Sequence, residues 1–152
     1  MFRVTWDDPT QESERKNTQQ PDGLALVFKP TETQGDVVTL QAWPYAGSPA
    51  LDVCYWSASG TATETLALDF DAVRVPRRPD TSLAPSSSYE DGRWHMLMQR
   101  PLRPTVPEGA AVIDGQAFTS IAFTVWDGGN AEARAVSPWI ELSFAQRRRA
   151  HP

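Results

Sequence analysis

The chain reads as a single all-β domain, a β-sandwich with at most short helices, and three observations predict it. Short segments alternate apolar and polar residues with a period of two. Thirteen prolines and nine glycines cut the chain between these segments. No long stretch carries the 3.6-residue apolar spacing of an amphipathic helix. Length agrees: 152 residues, 40% hydrophobic and 10% aromatic, suffice for one domain with a real core.

The elements follow in order. Phe2, Val4 and Trp6 alternate with Arg3 and Thr5, so residues 2–6 read as a strand. Thr10 to Asn17 could turn once or twice as a helix. Residues 23–28, 37–43 and 50–57 read as strands, and 62–75 as another that breaks near Asp69. Residues 76–91, rich in proline and serine, read as a loop. Residues 93–99 follow as a strand with Trp94, Met96 and Met98 on one face and His95, Leu97 and Gln99 on the other. Pro101 to Pro107 breaks the pattern. Residues 118–126 alternate strongly, Asp127-Gly128-Gly129-Asn130 reads as a turn, and Gly129 to Val136 as a short helix. Residues 138–144 close the sandwich, with Ile140, Leu142 and Phe144 facing one way. The sandwich domain spans 1–145 and residues 146–152 form a basic tail.

Composition excludes several functions. A net charge of -5 offers no basic face for a phosphate backbone, and Arg147, Arg148 and Arg149 read as a solvated tail, so no nucleic-acid partner is expected. The single cysteine, Cys54, sits in an apolar run and reads as a small buried residue. No apolar stretch has the ~18 residues of a membrane helix, and the first residues lack the pattern of a signal peptide. No HExxH, GxSxG, Gly-rich phosphate loop or Cys/His cluster supports a catalytic template. The carboxylate pairs Asp7-Asp8 and Asp69/Asp71 read as solvated faces. Trp43, Trp56, Trp94, Trp126 and Trp139 fall within strands or at their ends. They form either an aromatic core or a flat apolar slot for a planar ligand such as a sugar ring or a porphyrin, and composition alone favours the core.

Six segments, in chain order, carry a resemblance. Arg3 to Thr10 is similar to R-x-x-W-D-D-P-T, Asp22 to Pro30 to D-A-x-A-x-x-F-P, and Leu51 to Ala58 to V-x-x-W-x-W-K-A. Gly92 to Leu102 is similar to G-x-W-x-V-x-x-x-R-x-L, Ala122 to Glu132 to A-F-A-V-W-D-G-x-x-x-E, and Ala135 to Trp139 to K-x-V-S-x-W. Together they resemble the haem b-binding gamma subunit of type II molybdenum enzymes, the family of the small subunits of ethylbenzene dehydrogenase, dimethylsulfide dehydrogenase, chlorate reductase and nitrite oxidoreductase. The resemblance implies a sandwich of the haem-binding, carbohydrate-module-like type that holds one non-covalent haem b and passes single electrons. It also implies iron–sulfur and molybdenum subunits as partners, no direct membrane insertion, and a periplasmic location or export with a partner, or a cytoplasmic one where no signal was removed.

Trp43, Trp56, Trp94, Trp126 and Arg134 are the candidate cofactor-binding residues. In the family a methionine and a late lysine hold the iron. Here residues 42–47 carry no methionine, the only lysines are Lys16 and Lys29, and Arg134 stands where a lysine is expected. Arginine stays protonated and is a poor iron ligand. The remaining axial candidates are His95, Met96 and Met98. The leading expectation is an electron-transfer subunit, or a haem-less relative with a structural role; the runner-up is a sugar- or protein-binding module on the same sandwich.

Overall fold

The computed structural model describes residues 1–14, 20–29, 50–67, 83–103, 111–113, 118–130 and 134–144. Among them are nine strands and no helix: β1 (Phe2–Asp7), β2 (Gly23–Phe28), β3 (Leu51–Ser57), β4 (Ala62–Ala67), β5 (Ala84–Glu90), β6 (Arg93–Gln99), β7 (Phe118–Trp126), β8 (Arg134–Val136) and β9 (Ile140–Ser143). All pairings are antiparallel. One sheet runs β1-β6-β5; the other runs β4-β3-β2-β7-β8, with β9 also on β7.

The two sheets face each other across a shared core. Leu24, Leu26 and Phe28 of β2, Cys54 and Trp56 of β3 and Ile121 of β7 meet Trp94, Met96 and Met98 of β6 there. Phe2 packs on Phe28 at 5.8 Å between ring centroids. β2 is central and buried along its whole length, which is why its sequence, Gly-Leu-Ala-Leu-Val-Phe, is continuously apolar. Its alternate residues Ala25 and Val27 belong to a second cluster with Leu51, Val53 and Ala122, against which Tyr55, Trp126, Val136 and Trp139 pack. β6 shows the expected alternation, with Trp94, Met96 and Met98 inside and His95 and Gln99 exposed.

Four local expectations are corrected. Residues 84–90 are a strand, not loop: β5 is an edge strand that pairs only with β6 and exposes nearly all its side chains, so no burial pattern marks it. Pro85 is tolerated at such an edge. A two-residue hairpin turn, Asp91-Gly92, joins β5 to β6 with φ of 51° and 72°, the left-handed pair that an Asp-Gly type I′ turn requires. Residues 134–136 pair as β8 rather than coil as a helix. Residues 10–14 of the expected Thr10–Asn17 turn are not helical. Ile140 is exposed while Leu142 and Phe144 pack on the core. The turn at 127–130 is present, closed by Asn130 N–H to the Asp127 carbonyl at 3.2 Å. Residues 37–43 and 68–75, with Asp69, Asp71 and Trp43, lie outside the described residues, as does the tail. No helix of the described residues is long and apolar enough to cross a membrane.

Candidate functional site

At one end of the sandwich the aromatic core meets buried charge. Trp6 stacks on Trp94 at 6.1 Å and meets Trp56 edge-on at 6.2 Å; Trp56 and Tyr89 each meet Trp94 edge-on, at 5.1 and 5.2 Å. Trp56 and Trp94 are each 4% exposed, so these two candidates are packed core. Trp126 is half-buried on the opposite face of the larger sheet, edge-on to Tyr55 at 5.6 Å. Four carboxylates gather beside the aromatic stack. Asp8, Glu12, Asp22 and Asp127 each bring an oxygen within 4.8 Å of the others.

Asp22 organises this end. Its Oδ2 accepts from Glu12 N–H at 2.8 Å and Trp94 Nε1–H at 3.0 Å, and its Oδ1 from Gly128 N–H at 2.7 Å. Asp22 thereby ties together β6, the turn after β7 and the segment after β1. Gly128 is required by close approach: a Cβ there would lie 2.6 Å from the Gln20 carbonyl oxygen and 2.7 Å from Glu12 Cβ. Asp127 caps its own turn through Gly129 N–H at 2.8 Å. Asp8 accepts from Thr10 N–H through Oδ1 at 3.3 Å, while its Oδ2 is buried with no hydrogen-bond partner among the described residues. Burial first, then Asp22, Asp127 and Glu12, push the Asp8 carboxyl up from 3.8 to about 6 against the Thr10 hydrogen bond. Tyr89 donates to the Asp8 carbonyl at 2.9 Å, and burial first, then Asp8, Asp22 and Glu12, push its hydroxyl up. An open depression of about 380 Å³ beside the cluster is lined by Trp6, Asp7, Asp8, Val125, Asp127, Arg134 and Ala135. Asp8 therefore corrects the reading of Asp7-Asp8 as a solvated pair: Asp7 points outward to Arg93 at 2.6 Å, and its neighbour is buried.

The axial candidates separate by layer. His95 lies outside the smaller sheet, 3.4 Å from Thr5 Oγ1, in a shallow depression of about 280 Å³ with Arg3 and Ser86–Ser88. Met96 and Met98 point the other way, into the filled core between the sheets. Lys29 lies beyond the larger sheet, its Nζ 5.4 Å from the Trp139 ring centroid. The sequence places Lys29 far from the Val136-Ser137-Pro138-Trp139 segment; folding brings them together. A six-coordinate haem needs two donors facing one iron across open space. Donors in three separate layers, two of them in a closed core, do not fit that group within the described residues. Of the chain's other strong donors, Cys54 is buried in the shared core and Met1 is exposed, while Lys16 and His151 lie outside the described residues. Arg134 is exposed on β8 and lines the acidic depression.

At the other end Asp52 and Arg100 form a buried ion pair at 3.1 Å. Arg100 also donates to the Ala111 carbonyl at 3.0 Å and lies over the Phe28 ring at 4.6 Å, and Ala111 N–H donates to Asp52 at 2.8 Å. This arginine of the Gly92–Leu102 motif thus fastens residues 111–113 to β3.

No family model matches the chain. It is 34% identical over 151 residues to the chlorate reductase subunit gamma of Ideonella dechloratans, covering 95% of this chain and 59% of that protein. It is 27% identical over 147 residues to the putative respiratory nitrate reductase heme subunit ORF7 of Haloferax mediterranei, covering 93% of this chain and 50% of that protein. The chain thus spans about half to three-fifths of the relatives it matches. Along nearly its whole length, and with its motifs in order, the chain is similar to chlorate reductase-like gamma subunits, the family that those motifs resemble.

Proposed function

We propose that this chain is a small, non-catalytic subunit of a molybdenum oxidoreductase complex, serving single-electron transfer through a non-covalent haem b, beside an iron–sulfur subunit and in the periplasm. The observation that carries this reading is the relation over 95% of the chain to a reductase gamma subunit. A relative named as a heme subunit supports the cofactor. One observation favours a second reading, a haem-less relative that holds the complex together: His95, Met96/Met98 and Lys29 occupy different layers. The visible spectrum of the complex purified from its native host separates them. The first reading predicts a Soret band and sharp reduced α band at one haem per chain. With His95 outside the smaller sheet and Met96 and Met98 in the filled core, it also predicts that the axial donors come from elsewhere, so that His95→Ala, and Met96→Leu with Met98→Leu, leave the Soret band in place. A colourless chain within an otherwise intact complex contradicts the electron-transfer reading and leaves the structural one.

A further inference from the structure

We propose that Asp8, Glu12, Asp22 and Asp127 form a binding site for a hard divalent cation of the calcium type. These residues come from three of the motif segments and the loop after β1, and folding closes them at one point. The donor set is all oxygen, which selects calcium or magnesium over softer metals. The four oxygens lie no further apart than 4.8 Å, the separation of opposite ligands around an ion with Ca–O distances of about 2.3–2.6 Å. Magnesium needs a tighter octahedron at about 2.0–2.1 Å and keeps several waters.

The second, independent observation is Asp8. It is 2% exposed, and its Oδ2 is buried with no hydrogen-bond partner among the described residues. A buried carboxylate oxygen normally has a partner, and a lone one is costly. Asp22, with no exposed surface, spends three of its roughly four acceptor positions on N–H groups, which fix its orientation and leave one. A cation at the meeting point would satisfy the orphan oxygen and offset four neighbouring negative charges in one step. Gly128 serves the same arrangement, because only a residue without a Cβ lets its N–H reach Asp22 beside the Gln20 carbonyl.

The test uses the full chain, in whatever assembly it purifies, with terbium and calcium as probes. Trp94 donates to Asp22, and Trp6 stacks on it, so tryptophan excitation should sensitise bound terbium. The expected result is one terbium per chain, displaced by calcium and far more weakly by magnesium, and a melting temperature that rises with calcium after chelator treatment. Asp8→Asn and Asp127→Asn keep an Oδ1 acceptor for Thr10 and Gly129 and remove a charge. Each should weaken calcium binding by roughly tenfold or more, yet melt no lower than the parent chain in chelator. Absence of sensitised emission together with a calcium-independent melting temperature would overturn the proposal. So would unchanged affinity in the two variants, or magnesium acting as strongly as calcium. The haem spectrum is independent of all these readouts.

Discussion

Asp52 and Asp22 are both fully buried, at different places in the same sandwich, and their surroundings differ in kind. Asp52 faces the Arg100 guanidinium, which is itself buried, so the charges cancel locally and the pair pins residues 111–113 to β3. Asp22 faces N–H dipoles and three more carboxylates. A buried charge demands compensation. Where a guanidinium supplies it the carboxylate is structural. Where other carboxylates gather around it, the arrangement is suited to a bound cation.

The largest expected effect lies at the cancelled pair. Arg100→Ala leaves Asp52 as a buried charge without its guanidinium and removes the contact over Phe28. It should cost about 3–5 kcal/mol, read as the loss in unfolding free energy in denaturant titrations. A cost below that of a surface ion pair would erase the contrast. At the acidic end Gly128→Ala must displace the Gln20 carbonyl or the turn that donates to Asp22, at about 1–3 kcal/mol. Its calcium affinity should fall in parallel.

The pH response sharpens the comparison. Asp8 ionises near 3.8 when unfolded and near 6 when folded, so folding favours its protonated form. Its ionised form therefore costs stability above about pH 6, and that cost disappears as pH falls from 6 to below 4. Glu12, Asp22, Asp127, Asp7 and Arg134 share its surroundings, so the contribution of Asp8 is read by difference. In chelator, the melting temperature of the parent chain should rise relative to Asp8→Asn between pH 7.5 and 5, and calcium should suppress the difference. The smallest effect belongs to the exposed Arg93–Asp7 bridge: Arg93→Ala should cost under about 1 kcal/mol.

Much of this architecture is legible in the residues. β2, β6 and β7 lie where their apolar runs and alternation place them, because each buries a face. β5 was hidden because an edge strand of Pro, Ser and Glu buries almost nothing; Asp91-Gly92 was the one local signal of its hairpin. The acidic cluster was hidden for another reason. Asp8 and Asp127 lie at opposite ends of the chain, and adjacency to Asp7 suggested a solvated pair. Strand alternation turns one of two neighbouring carboxylates out and the next one in. Lys29 and Trp139 illustrate the same limit, since sequence separation says little about neighbours across a sheet.

The most direct test of the account is the elemental stoichiometry of the affinity-purified chain from its native host, isolated without chelator and measured together with its protein composition. The account predicts larger subunits in equal number, with molybdenum, iron and about one calcium per copy of this chain. The chain purifying alone, free of molybdenum and iron, would contradict it.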